Sequence, residues 1–166
     1  MPIPSETGRH RQPVDVGELI EGTARLLDSM VGKKATLRLN LAAALPPIEA
    51  DSGQVRQVLI TLTANAADAL GDRGGDIEIA TGVMWAEAGE LPPLQAGRVL
   101  CAGLYVYIEV RDTGGGMDAG RRPDLAIVDI MRGRRGSVQV TSKAGEGTIF
   151  RVLFPAEEEW VRPDTR

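Results

Sequence analysis

The chain has 166 residues, 43% of them hydrophobic, which is enough to bury one proper core, and it reads as a single domain. A formal net charge of −4 gives no global field toward nucleic acid or an anionic membrane, and one cysteine (Cys101) with one histidine (His10) supports neither an internal disulfide nor a zinc site. No apolar run approaches the ~18 residues that span a bilayer, and the start MPIPSETGRHRQP has no signal-peptide core, so a soluble, cytoplasmic piece is expected.

Residues 1–13 lack periodicity and read as a linker or tag remnant, with order expected from Val14. Between Asp15 and Val31 the residues Leu19, Ile20, Thr23, Leu26, Leu27 and Met30 make one apolar helical face, with Asp15 as N-cap and Gly32 as the stop. Thr36 to Leu41 alternates, with Leu37, Leu39 and Leu41 expected inward, until Pro46-Pro47 ends regular structure. From Gly53 to Leu70, Val55, Val58, Leu59, Leu62, Ala66, Ala69 and Leu70 recur at helical spacing, with Ser52 as the expected N-cap.

Gly74-Gly75 turns the chain into a second strand over 76–83, and a third follows over 104–111 after a loop holding Pro92-Pro93. Pro123 and Asp124 then precede an apolar helix, Leu125 to Met131, ending near Gly133. Ser137 to Thr141 and Thr148 to Phe154 alternate as the last strands, and Glu157 to Arg166 is a tail. Late strands joined by short turns make a mixed, mostly antiparallel sheet, and helices with single apolar faces cover one side of it. The expected fold is α+β, a two-layer α/β sandwich.

Two stretches carry chemistry. The first is Asp112-Thr113-Gly114-Gly115-Gly116-Met117 at the end of the third strand, a carboxylate beside bare backbone that suits a purine nucleotide. Read alone it is equally ordinary turn chemistry. The second is the stripe Thr61, Asn65, Asp68 on the helix 53–70, a hydroxyl, a carboxamide and a carboxylate at i, i+4, i+7. A solvated face would give such a stripe, but this one lacks the long charged residues usual there. An Asn oxygen is also a neutral hard ligand that Mg²⁺ accepts beside phosphate oxygens.

With helix and hook in this order, the chain resembles the ATP-binding domain of sensor histidine kinases, in the superfamily that includes gyrase, the Hsp90 chaperones and MutL. Gln57 to Leu70 resembles the N box, Asp112 to Met117 the first glycine box, Leu125 to Val128 the tail of the second, and Gly145-Glu146-Gly147-Thr148 with Phe150 the block on the closing strands. The match covers Val14 to Pro155, and a kinase-like domain is placed at 14–156. The resemblance implies a Bergerat-type fold, with ATP and Mg²⁺ as cofactors.

It further implies that Asp112, backed by Thr148, accepts a hydrogen bond from the adenine amino group. Gly114, Gly116, Met117 and Leu125 would border the nucleotide, Asn65 would ligate Mg²⁺, and Asp68 would lie nearby. The γ-phosphoryl would pass to a histidine on a separate dimerisation domain, and onward to a response regulator. His10, in a Pro- and Arg-rich linker, is not read as that acceptor.

The departures concern the phosphate end. Only Asp118 to Asp124 stand where the family has a long lid, Arg122 and Asp124 fall where paired glycines are expected, and Thr61 replaces the family asparagine and the ATPase branch's glutamate. A lid-deficient kinase fragment is therefore the expectation. A degenerate, non-enzymatic module that docks a response regulator or a histidine domain is the alternative, and an ATPase of the gyrase and chaperone branch is disfavoured. Arg132, Arg134 and Arg135 read as a solvated helix end rather than a nucleic-acid patch, since no aromatics interleave with them. No membrane contact by this domain is expected, and an anchor elsewhere in a parent kinase is left open.

Overall fold

The computed structural model describes residues 12–33, 35–87, 103–114, 137–143 and 147–156. In chain order they form β1 (Gln12–Val14), α1 (Val16–Val31), β2 (Ala35–Asn40), β3 (Ile48–Ala50), α2 (Ser52–Leu70), a 3-10 turn (Gly71–Arg73), β4 (Gly75–Ala86), β5 (Gly103–Asp112), β6 (Ser137–Lys143) and β7 (Gly147–Pro155). The expected helix over 125–131, the Pro92-Pro93 loop and the tail fall outside the described residues. None of the described helices is long and apolar enough to cross a membrane.

Both helices begin where an acidic residue can receive an orphan N–H. Asp15 stays extended and its carboxylate accepts from the Glu18 amide at 3.0 Å, while Gly32, at φ +79°, closes α1 by donating to the Asp28 carbonyl. For α2 the cap is Asp51, which accepts from the Gly53 amide at 2.8 Å, so Ser52 is the first helical residue and not the expected cap. Adjacent Asp and Ser are equally good caps. Which of them stays extended is decided by the strand that precedes them, and that strand was not expected.

The five-stranded sheet runs β2-β4-β5-β7-β6, with β2 and β4 parallel and every other pair antiparallel. Ile77, Ile79, Val106, Ile108, Val110, Phe150, Val152 and Phe154 point to its helix side. There they meet Ile20 and Leu27 of α1 and Val55, Val58, Leu59, Leu62 and Ala66 of α2. This is the two-layer sandwich with helices on one face. Each fully buried Leu or Ile of this layer contributes on the order of 2 kcal/mol of transfer free energy.

Several expectations shift. Leu39 was expected inward but is 38% exposed, because alternation tells which side a residue faces and not how far the helix layer extends over an edge strand. β1 and β3 were not expected at all. They pair antiparallel through Gln12 with Ala50 and Val14 with Ile48, and Ile48 also bridges Ala156 beyond β7. Three-residue strands are too short to show a period. β4 runs on to Ala86 and β5 starts at Gly103, so the ribbon they form is longer than the alternation suggested.

The side of the sheet away from the helices is partly buried as well. Ala86, Tyr105 and Leu153 form a second apolar cluster there, with Met84 and Tyr107 against it. Beside it Glu109, only 6% exposed, takes two donors from Arg151 on one oxygen (Nη2 at 2.6 Å, Nε at 3.0 Å) and Arg111 Nη2 at 3.3 Å on the other. The Arg151 guanidinium also lies 4.5 Å from the centre of the Tyr107 ring. That ring occupies the space where a side chain at Gly82, its register partner, would stand.

Candidate nucleotide-binding site

Asp112 is the last residue of β5 and continues the side occupied by Val106, Ile108 and Val110, so its carboxylate faces the helix layer at the sheet's end. Its register partner on β7 is Thr148. Asp112 is 4% exposed and Thr148 2%, which makes them two adjacent buried polar residues at the end of a largely apolar surface. A buried carboxylate is costly unless hydrogen-bonded. Here one oxygen, Oδ1, accepts from the Gly114 amide at 2.9 Å, which fixes the carboxylate's rotation and curls the chain into the first glycine of the hook.

Three glycines make this curl possible. A Cβ on Gly114 would come within 2.5 Å of the Ala69 carbonyl oxygen, so the hook lies directly against the last turn of α2. Gly147, at φ +110°, rests against the Asp112 carbonyl and leaves no room for a side chain. Gly75, at φ +143°, faces the Thr113 hydroxyl, which a Cβ would meet at 2.5 Å. Thr113 in turn donates its N–H to the Asp76 carbonyl (3.2 Å) and accepts the Asp76 N–H on Oγ1 (3.0 Å).

The electrostatics of the place have a direction. The C-terminal turn of a helix presents unsatisfied carbonyls and partial negative charge. Together with Asp112 this makes an acceptor-rich corner that favours a donor such as an exocyclic amine and disfavours a phosphate. Away from it, toward the N-terminus of α2, lie Asn65 and Thr61, while Asp68 directly precedes Ala69. Asn65 is one turn before Ala69, about 6 Å along the axis, and is half-buried, as is Thr61, whose Oγ1 accepts from Gln57 Nε2 at 3.4 Å. Asp68 is exposed.

Of the residues predicted for the site, then, Asp112, Gly114 and Thr148 come together at the end of α2, and Asn65 lies one turn along it. Gly116, Met117 and Leu125 fall outside the described residues. The described residues hold no cluster of three His, Cys, Asp or Glu able to cage a metal, so a cation here would depend on phosphate oxygens as well as on Asn65. The sequence reading missed Thr113, Gly75 and the steric part played by Gly147. Only the paired glycines at 74–75 signalled a backbone that must be bare.

An α+β sandwich with two helices on one face of a mixed five-stranded sheet is the fold of the histidine kinase catalytic domains. The chain superposes on the catalytic domain of histidine kinase ThkA with a TM-score of 0.65, 18% identity, and coverage of 89% of this chain and 97% of that one. On full-length ShkA, solved in complex with AMPPNP, the TM-score is 0.66 with 22% identity over 93% of this chain and 32% of that one. Sensor kinase CckA of Brucella abortus is 30% identical over 171 aligned positions, covering 91% of this chain and 18% of that protein. The sensory histidine kinase/phosphatase NtrB of Rhizobium leguminosarum is 26% identical, covering 90% of this chain and 42% of that protein.

No family model matches the chain. The homologues and the shared fold nevertheless agree, and the chain is a homologue of the catalytic (HATPase) domain of sensor histidine kinases, phosphotransferases of the gyrase, Hsp90, histidine kinase and MutL superfamily. It spans less than half the length of each of those two relatives.

Proposed function

We propose that this chain is the ATP-binding unit of a cytoplasmic two-component sensor kinase, presenting the nucleotide to a histidine on a separate dimerisation domain, with a response regulator downstream. The observation that carries this reading is the buried Asp112–Thr148 pair, with Gly114 against the acceptor end of α2. Asp112 and Thr148 receive the adenine amino group, and the glycine backbone lets the base lie close. The base excludes water from the corner, while the ribose and phosphates run along α2 toward Asn65. Asn65 would hold Mg²⁺, which when bound supplies charge neutralisation to the phosphates.

The segment after the hook limits the phosphate end. Eight positions, 117–124, separate Gly116 from Leu125, where the family has a long lid, and Arg122 and Asp124 stand where its paired glycines are expected. Binding of adenine nucleotide is therefore weak, and the γ-phosphate adds little. Calorimetric titration should give similar affinities for ATP and ADP with Mg²⁺ present, and Asp112→Asn should abolish both. A large preference for ATP would overturn the lid-deficient reading, and an unaffected Asp112→Asn variant would overturn the base site.

The short segment also supports a second reading, a degenerate module whose work is docking. Mixing the chain with a histidine-bearing helical domain and labelled ATP separates the two. Transfer of label favours the kinase, and binding without transfer favours docking.

A further inference from the structure

Resting on the base site just proposed, we infer that Thr113 is a positioning residue for Asp112, working through a notch that Gly75 leaves open in β4. Asp112 is held from two sides. On the β7 side Gly147 abuts its carbonyl, which stops the end of β5 from moving toward β7. On the β4 side the main-chain ladder continues one residue beyond β5, because the Thr113 N–H reaches the Asp76 carbonyl.

The return bond of that pair is made by a side chain. The Asp76 N–H goes to the Thr113 hydroxyl at 3.0 Å, so the hydroxyl replaces a backbone carbonyl and leaves the Thr113 carbonyl out of the ladder. The chain can then curl at Gly114, whose amide turns back onto Asp112 Oδ1. The hydroxyl fits only because position 75 has no Cβ, since an added one would sit 2.5 Å from Oγ1 and 2.9 Å from Leu70 Cδ2. Gly75 and Thr113 are thus one device. It sets where β5 stops and the hook begins, and with it the direction of the Asp112 carboxylate.

A plain structural hydrogen bond would affect stability alike for every ligand. A positioning role predicts instead a loss of base discrimination. The experiment uses the full chain and four variants, Thr113→Val, Thr113→Ser, Gly75→Ala and Asp112→Asn, titrated with ADP and GDP, with thermal melts on each.

Thr113→Val removes the acceptor while keeping the shape, and should weaken ADP about tenfold, the scale of one net hydrogen bond. It should also narrow the ADP-to-GDP ratio by a similar factor. Thr113→Ser should restore both to within about twofold, and Gly75→Ala should behave as Thr113→Val. Joining Thr113→Val to Gly75→Ala should add little to the loss of ADP affinity and of base discrimination in either alone, because both act on the same contact, while the strain of a side chain at φ +143° appears in the melts of the Gly75→Ala variants. In Thr113→Val the Asp76 amide should exchange with deuterium faster.

The proposal is overturned if a folded Thr113→Val keeps wild-type ADP affinity and ADP-to-GDP ratio while Asp112→Asn loses binding, an outcome that leaves the base site standing. It is also overturned if Ser fails to rescue. If the wild type binds no ADP, or Asp112→Asn binds as well as wild type, the base site and the positioning role fall together.

Discussion

Glu109 and Arg151 test how much of this domain's stability rests on the side of the sheet away from its helices. The Glu109 side chain is 8% exposed and that of Arg151 34%, so the two ends of the pair face unequal costs when one is left alone. In Arg151→Met the carboxylate stays buried, with Arg111 at 3.3 Å as its remaining partner among the described residues, and Arg111 is itself half in solvent at 51%. Breaking a buried pair in this sense costs about 3–5 kcal/mol. The lower end applies here because Arg111 can move closer and Tyr107 keeps its packing on Gly82, which gives about 3 kcal/mol.

In Glu109→Gln the guanidinium loses a charged partner but keeps a carboxamide acceptor and is already one-third hydrated. The cost is then one weakened charge-assisted bond, about 1–2 kcal/mol. Removing both partners, as in Glu109→Gln with Arg151→Met, leaves no buried charge and should cost less than the sum of the single changes. Urea unfolding followed by far-UV circular dichroism measures all three. A Glu109→Gln loss as large as that of Arg151→Met, or full additivity in the double variant, would refute the reasoning, because it would mean that burial of the carboxylate is not what sets the cost.

Thr63 on α2 is fully buried and its hydroxyl has no hydrogen-bond partner among the described residues, so Thr63→Val should be neutral or stabilise the fold by about 1 kcal/mol, read from the same urea midpoints. Gly82→Ala places a methyl group against the Tyr107 ring; displacing that ring and the Arg151 stack should cost about 1–3 kcal/mol, and a variant as stable as wild type would show the ring to be loosely held.

What the sequence disclosed depended on range. α1 was legible at both ends because its signals are local, with Asp15 three residues before the amide it caps and Gly32 directly after the last apolar position. The hook was legible for the same reason. Asp112 ends an alternating strand and glycines follow it, and the stripe containing Asn65 follows from helical spacing alone. The cap of α2 shifted from Ser52 to Asp51 because β3, three residues long, sets the backbone there and leaves no periodic trace.

Glu109 lies in the strand expected over 104–111, on the side opposite Val106, Ile108 and Val110. Its burial comes from Arg151, 42 residues later, and alternation cannot see a partner on another strand. The Thr113–Gly75 notch was hidden similarly, since a Thr in a turn and a Gly after a turn are each unremarkable until the β4–β5 register brings them together. Alternation did find the faces of the sheet. It could not find the pairs that cross it.

The small ribbon of β1 and β3 also brings the two ends of the described fold together. Val14, Ile48 and Ala156 lie side by side across two ladder spacings, so the chain enters and leaves the sandwich about 10 Å apart. Ile48 is antiparallel both to Val14 and to Ala156, so the chain runs the same way at its entry and its exit, and the directions that lead out of the sandwich at Gln12 and at Ala156 are opposite. A pull between those two ends would load the three-residue β1 against β3 in shear, along the strands, and its hydrogen bonds would have to give way together rather than one after another.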